Sequence, residues 1–393
     1  MIQLQEHRLP RRFSLFNLGF RPFFLGGALV SAVLMTVWIL MYSNGLQPNY
    51  YSYGIYWHAH EMIYGFALAI IAGFLLTAVR NWTNVQTLYS WPLAALFLLW
   101  LFARVSPLIP NLPASLMATI DLAFAPLLAI SIAWPIICSG NYRNLVFVPL
   151  LTGFFIGNLL IHLQLLGVLE ATADLGIRLG LFIVVVVITI IGGRVIPFFS
   201  ERGVPGGVSC RKFALIEKSI IPLSLVWLIL NFVELNTLLA IVSFALAAAN
   251  GLRTAGWFSL KIFSTPLVWI LQLGYSFIPL GYLLFGLSTL EIVSQSIAYH
   301  AFAAGGIGAL TLGMMARVSL GHTGRPLAIG PVVICAFVLM LLAAILRICI
   351  GFLPIPYLAT LHLSGSLWVF AWLLFLLHYT SILIKPRLDG LYG

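Results

Sequence analysis

Long apolar segments fill this chain almost from end to end, and their length constrains the fold more than any other feature. A helix needs about 20 apolar residues to cross the hydrocarbon core of a bilayer. Apolar residues make up 62% of the chain and charged residues only 8%, far below the roughly 25% that is usual in soluble domains. Twelve segments of spanning length are predicted, at 22–43, 57–79, 90–106, 112–138, 145–169, 175–198, 216–234, 236–252, 265–288, 291–317, 326–351 and 356–384.

We therefore predict an all-α polytopic membrane protein of about 12 transmembrane helices embedded in a lipid bilayer. Residues 22–384 are expected to form a single transmembrane domain. A basic amphipathic segment at 1–21 precedes it, and a short tail at 385–393 follows. The connections are too short for a soluble redox domain. The net charge of +10 is assigned to loops beside the membrane, and no nucleic-acid partner is expected.

Lysine and arginine lie almost entirely on one side of the predicted helices. Of the 20 such residues, only Arg104, Arg178 and Arg347 fall on the other side. Cytoplasmic loops are enriched in these residues, so both termini are predicted to be cytoplasmic. The three outer arginines are either ordinary interfacial anchors or partners for the propionates of a haem.

Five histidines fall in one layer of the outer half of the bundle. At 1.5 Å per helical residue, His162, His300 and His362 lie about 9–13 Å below the outer ends of their helices. His58 and His60 begin the second segment near its outer end. A hydrogen-bonded core residue is the alternative for any single histidine. Imidazoles at a common depth in a helical bundle are typical of iron, copper or zinc sites, so at least one metal or haem is predicted here.

The spacing of the first two histidines suggests two centres. Residues two apart on a helix point about 200° from each other, so His58 and His60 are expected to face different sides. We assign b-type haem to His60 and His300, bound without covalent attachment because the chain has no CxxCH motif. Copper is assigned to His58, His162 and His362.

Two carboxyl groups share the histidine layer. Glu61 directly follows His60, and Asp121 lies about 13 Å into the fourth segment with no neighbouring basic residue to pair with. Ionisable groups inside a membrane mark functional sites by default. Both are predicted to be catalytic proton carriers. The alternatives are a helix-terminal charge for Glu61 and a carboxyl that reaches water for Asp121.

Four motifs carry a resemblance to a known family. They are "GFRPFFL" (Gly19–Leu25), "WHAHEM" (Trp57–Met62), "GGRVIPFF" (Gly192–Phe199) and "MMARVSLGHTGRPL" (Met314–Leu327). Together they resemble the NnrS family over essentially the whole chain. The resemblance implies a bacterial inner-membrane protein that contains haem and copper and takes part in nitric oxide metabolism and resistance to nitrosative stress.

Three functions remain open at this point. The first is an oxidoreductase that reduces nitric oxide at a haem–copper centre, with electrons from a separate donor or quinol. The second is a non-catalytic protein that binds or senses nitric oxide. The third is a transporter, which is less favoured because the ionisable groups lie in an outer layer and not near the midplane.

Overall fold

A computed structural model describes residues 13–45, 50–51 and 53–393 of the chain. These residues form twelve long helices joined by short connections. In chain order the helices are α1 Phe20–Asn44, α2 Gly54–Thr83, α3 Ser90–Val105, α4 Ala114–Cys138, α5 Phe147–Leu165, α6 Ala173–Gly203, α7 Ala214–Leu230, α8 Asn236–Trp257, α9 Pro266–Thr289, α10 Gln295–His322, α11 Pro331–Ile348 and α12 Tyr357–Ile384.

Eleven of these helices are long and apolar enough to cross a membrane. The remaining one, α7, has 17 residues and is about 25 Å long, slightly less than the thickness of the hydrocarbon core. The prediction of an all-helical polytopic membrane protein is confirmed. The cytoplasmic termini and the domain limits 22–384 stay predictions. Most of the predicted amphipathic segment, residues 1–12, lies outside the described residues.

The helices pack into two compact units. The first contains the chain up to Ile183, together with Arg317–Leu327 and Phe375–Gly393. The second contains Val184–Ala316 and Ala328–Leu374. The first unit thus includes all of α1 to α5, and the second includes all of α7, α8, α9 and α11.

Two helical hairpins set the positions of polar side chains in the first unit. Helix α3 ends at Val105 and α4 begins at Ala114, so residues near the end of α3 lie level with residues near the start of α4. Helix α5 returns beside α4 and ends at Leu165. Helices α1 and α2 pack through large aromatic side chains, and the fully buried Phe23 and Phe24 lie against Gly73 of α2. One end of α2, α3, α4 and α5 is thereby brought together.

A buried arginine organises the second unit. The Arg253 guanidinium on α8 donates two parallel hydrogen bonds to the Glu217 carboxylate on α7, at 2.8 and 2.5 Å. Its remaining Nη1 donates to the backbone oxygen of Thr189 on α6 and to the Tyr275 hydroxyl on α9, both at 3.0 Å. The guanidinium lies across Gly193, where a Cβ would overlap Nη2. The second glycine of "GGRVIPFF" is therefore needed for this crossing.

We predict that Gly193→Ala lowers the stability of the protein. The added methyl group meets a guanidinium fixed by four hydrogen bonds, and overpacking of this kind costs about 1–3 kcal/mol. Thermal unfolding of the detergent-solubilised protein measures the effect. Gly251→Ala on α8 is the matched control, because a Cβ there meets nothing within 4 Å. Equal melting temperatures for the two variants would contradict this account of Gly193.

Candidate metal centre

A π-helical turn in α2 carries the centre of the site. The helix is α-helical from Gly54 to His60, π-helical over Glu61–Ala67, and α-helical again from Leu68. Such turns frequently occur at functional sites. The backbone oxygen of Gly65, within the turn, accepts a hydrogen bond of 2.9 Å from the Trp100 indole. The turn places two successive polar side chains, His60 and Glu61, in the protein interior with exposures of 0% and 1%.

Two histidines converge on one carboxylate oxygen. The Nε2 atom of His60 lies 3.0 Å from Oδ2 of Asp121, and Nε2 of His162 lies 2.9 Å from the same oxygen. One ligand atom from each of the three residues falls within 4.8 Å of the others, and all three side chains are buried. We call His60, Asp121 and His162 the triad. Two imidazoles and one carboxylate form a donor set that iron, copper and zinc accept.

An arginine balances the charge of the site. Arg104 on α3 donates from Nη1 to Oε1 of Glu61 at 2.8 Å and from Nη2 to Oδ1 of Asp121. All three side chains are at least nine-tenths buried. A Cβ on Gly65 would lie 3.0 Å from both the Arg104 guanidinium and Oε2 of Glu61, so glycine leaves room for this pair. With neutral histidines the cluster carries one net negative charge.

Two tyrosines from the segment before α2 form hydrogen bonds with Nδ1 of the two imidazoles. The Tyr51 hydroxyl lies 2.9 Å from Nδ1 of His60, and the Tyr50 hydroxyl lies 2.8 Å from Nδ1 of His162. Burial raises the pKa of both phenols, and the negative charge of Glu61 raises the pKa of Tyr51 further. Both phenols therefore stay protonated near neutral pH. By fixing Nδ1, they aim Nε2 of each ring at Asp121.

His60 has hydrogen-bond acceptors on both sides of its ring. Its Nδ1 lies 3.1 Å from the Glu61 carboxylate, and its Nε2 faces Oδ2 of Asp121 and, at 2.9 Å, Oδ1 of Asn158. The Asn158 amide is oriented by its own donation from Nδ2 to Asp121, at 2.9 Å. A neutral imidazole has a single N–H and cannot donate in both directions. The Tyr51 hydroxyl can donate to Nδ1 while Nε2–H donates to Asp121, and a cation on Nε2 would reverse this assignment so that Nδ1–H donates to Glu61.

The structure groups the predicted histidines differently from the sequence-based assignment. His60 and His162, assigned to haem and copper respectively, share one cluster. His58 faces away from it, as the helical spacing predicts, and stacks on Trp38 with ring centroids 4.5 Å apart. His300 and His362 belong to the second unit and are half-buried. The Nδ1 of His300 lies 2.6 Å from the backbone oxygen of Ser296.

The expectation that Asp121 has no basic neighbour is wrong. Arg104 lies 17 residues earlier in the chain, yet the α3–α4 hairpin brings it into an ion pair with Asp121. The other two outer arginines have different partners. Arg178 lies 3.2 Å from Asp174 one turn earlier on α6, and Arg347 donates to the Ser296 hydroxyl at 3.4 Å. Contact of any of the three with a haem remains a prediction.

Sequence reasoning missed Asn158, Tyr50 and Tyr51. Asn158 precedes His162 by four residues, so helical periodicity places both on one face of α5, and this spacing could have revealed it. The tyrosines lie outside regular helices, where no periodicity indicates which way a side chain points. Only the tertiary structure connects them to the imidazoles.

The fold and the cluster define a polytopic helical membrane protein with a buried histidine–carboxylate centre that could hold a metal ion. The sequence model of one family, described as "NnrS protein", matches residues 14–387. The chain therefore belongs to the NnrS family, whose members are related to the nitric oxide response. No curated protein matches the chain.

We predict that Arg104→Gln destabilises the protein strongly and that a second substitution restores part of the loss. Removing the guanidinium leaves two buried carboxylates uncompensated, a change that costs about 3–5 kcal/mol. In the double variant Arg104→Gln/Glu61→Gln one of those charges is gone, so its melting temperature should exceed that of the single variant. A double variant less stable than Arg104→Gln would contradict the role of Arg104 as the counter-charge.

Proposed function

We propose that this protein binds a transition-metal ion at His60, Asp121 and His162 and acts on nitric oxide at that centre in the bacterial inner membrane. The ion we propose is copper. The set of ligands differs from the sequence-based one, because His60 and Asp121 replace His58 and His362. A non-covalent b-type haem is proposed as the second cofactor, in keeping with the histidine layer.

The observation that carries the proposal is the convergence of three buried ligand atoms, from His60, Asp121 and His162, within 4.8 Å of one another. Glu61 lies at Nδ1 of His60, and Asp121 and Asn158 lie at Nε2. With a metal ion bound, the Nε2 lone pair of His60 would serve as a ligand and Nδ1–H would donate to Glu61. The same ion offsets the net negative charge of the cluster. Metal binding is coupled in this way to the protonation of the ligands.

A second observation supports a ligand beside the triad. Oε2 of Glu61 is buried and has no hydrogen-bond partner among the described residues, although Oε1 has two. An unpaired buried carboxylate oxygen is costly. A proton, a water molecule or a substrate-derived group would satisfy it. Glu61 is therefore the proposed proton carrier, whereas Asp121 is proposed as a ligand.

The proposed reaction is the reduction of nitric oxide. Two NO molecules, two electrons and two protons give one N₂O and one water. When bound, the metal would supply a binding position for NO and a route for electrons. Nitric oxide is small and apolar, so it reaches a buried site through the lipid without a polar channel. Glu61 delivers protons, Tyr50 and Tyr51 hold the imidazoles in place, and a separate donor or quinol supplies electrons.

A protein that binds or senses nitric oxide without turnover is the second candidate, and one feature at the opposite end of the first unit favours it. The fully buried Arg21 of "GFRPFFL" donates to backbone oxygens of Leu383 and Lys385 at 2.7 and 2.8 Å. Arg387 donates to the backbone oxygen of His322 in "GHTGR" at 3.2 Å. Two of the motifs thus form hydrogen bonds with the C-terminal segment, an arrangement suited to transmitting a conformational signal.

We predict that His60→Ala, His162→Ala and Asp121→Asn each lose copper. Metal analysis of the purified full chain, reconstituted with copper and washed, measures this directly. His378→Ala, on α12 and outside the triad, is the matched control and should keep its copper. Loss of copper in His58→Ala with full occupancy in Asp121→Asn would favour the sequence-based ligand set and contradict the triad.

The catalytic role of Glu61 makes a separate prediction. Glu61→Gln keeps the shape of the side chain and removes its ability to carry a proton. Anaerobic NO consumption by the reduced protein should fall by the 10²–10⁴-fold expected for a missing acid, with copper content unchanged. Glu234→Gln, an exposed carboxyl variant, is the control. Equal turnover in both variants would favour the non-catalytic candidate.

A further inference from the structure

The last four helices repeat a pattern found in the first four. Helices α2 and α10 both begin with a short α-helical stretch that ends in a histidine, His60 or His300. A π-helical turn follows at once in each, over Glu61–Ala67 and Ala301–Gly308. At the fifth, ninth and thirteenth positions after the histidine stand the same residue types, namely Gly65, Ala69 and Gly73 in α2 and Gly305, Ala309 and Gly313 in α10.

The correspondence continues in the two helices that follow. Helices α3 and α11 each carry an arginine in the last turn, Arg104 and Arg347. Helix α4 contains "ATIDL" at 118–122, and α12 contains "ATLHL" at 359–363. Aligning these pentapeptides places His362 at the position of Asp121. The first-unit residues His60, Arg104 and Asp121 thus have His300, Arg347 and His362 as counterparts.

A contact within the second unit shows that these three counterparts lie at one level. A Cβ on Gly308 of α10 would overlap the Trp368 ring on α12 and would lie 3.0 Å from the Met340 sulfur on α11. From this contact His300 lies eight residues away, Arg347 seven and His362 six, all towards the same end because adjacent helices are antiparallel. At 1.5 Å per residue the separations are about 9–12 Å.

Hydrogen bonds between the helices support this common level. Arg347 on α11 donates to the Ser296 hydroxyl on α10 at 3.4 Å, one turn from His300. On α12, the Ser364 hydroxyl donates to the backbone oxygen of Ala343 on α11 at 2.8 Å. Ser364 is two residues from His362, and Ala343 is one turn from Arg347. Helices α10, α11 and α12 are therefore joined by hydrogen bonds close to His300, Arg347 and His362.

The charge at this level differs from that of the triad. The first unit has two carboxylates beside its arginine, whereas the corresponding positions in the second unit are Ala301 and His362. The arginine is retained as Arg347. A bare cation is stabilised less here than at the triad, because no carboxylate stands at the position of Asp121 and the Arg347 guanidinium lies at the same level. A metal that brings its own negative charge, as haem does with its porphyrin and propionates, suits these positions better.

The triad is also more deeply buried than His300, Arg347 and His362 in the second unit. The triad side chains are almost fully buried, with exposures of 0–7%, which suits a single ion. His300, Arg347 and His362 are half-buried, as are Ala303 and Ala304 next to His300 on the π-helical turn. Small residues beside these partly exposed side chains would let a ligand larger than an ion approach them.

We infer that the chain contains a duplicated four-helix unit and that its second copy binds haem through His300 and His362, with Arg347 paired to a propionate. The first copy binds the metal ion through His60, Asp121 and His162. This inference deepens the proposed function and rests on it for the presence of haem. It reassigns His362 from copper to haem and His60 from haem to the metal ion.

Electron paramagnetic resonance and optical spectra of the purified full chain test the inference, with haem and copper measured separately. The wild type should show low-spin haem iron with two imidazole ligands. His300→Ala and His362→Ala should each convert it to high spin, and the double variant should lose haem, while copper stays at the wild-type level in all three. Arg347→Gln should lower haem occupancy. His378→Ala is the matched control and should leave haem and copper unchanged.

A variant that fails to fold is recognised by lost copper and by aggregation in size-exclusion chromatography. For that case His362→Gly is tested with added imidazole, which should restore the low-spin spectrum. Unchanged spectra in both single variants, or loss of haem in His60→Ala but not in His300→Ala, would overturn the inference. Copper-loaded protein without haem would overturn it and leave the triad standing. Haem at His300 and His362 without copper at the triad would overturn the metal centre instead.

Discussion

The pairing of Arg104 with Glu61 and Asp121 is the interaction on which the first unit depends. Two carboxylates inside a membrane bundle would be expensive to keep ionised without a counter-charge. The guanidinium lies between them and donates to both, so it offsets their charge and fixes the distance between α2 and α4. Everything else in the site is built on the remaining carboxylate oxygens. Oδ2 of Asp121 accepts a hydrogen bond from the Asn158 amide and faces Nε2 of both imidazoles.

The π-helical turn is the backbone counterpart of this charge arrangement. In a regular helix successive residues point about 100° apart, so only one of two neighbours faces a given partner helix. The wider turn at Glu61 lets both His60 and Glu61 lie in the buried cluster. The indole of Trp100 satisfies the Gly65 oxygen within the turn, and the missing Cβ of that glycine admits the guanidinium. A local departure from α-helical geometry is stabilised here by tertiary hydrogen bonds.

A π-helical turn also occurs in α10, but different side chains surround it. Both turns follow a histidine and contain a glycine at the same position, and an alanine and a second glycine follow at matching positions in the helix. The side chains that determine charge have changed, from Glu61 to Ala301 and from Asp121 to His362. Because affinity for a metal depends on the charge and type of its ligands, one backbone scaffold can serve two different cofactors.

The sequence by itself determined the class of fold. Apolar segments of spanning length must form helices in lipid, since every backbone polar group has to be satisfied within the segment. Among the described residues, eleven of the twelve predicted segments form helices long and apolar enough to cross a membrane. The sequence also singled out His60, His162, Glu61 and Asp121, because ionisable residues are conspicuous within apolar helices, and helical periodicity separated His58 from His60. The pairing of His60 with His162 and of Arg104 with Asp121 came only from the tertiary structure. Those contacts depend on how helices rotate about their axes and on where a π-helical turn shifts the register, and hydropathy fixes neither. Tyr50 and Tyr51 lie before α2 without a regular repeat, so only the packing of the first unit shows that they orient the two imidazoles.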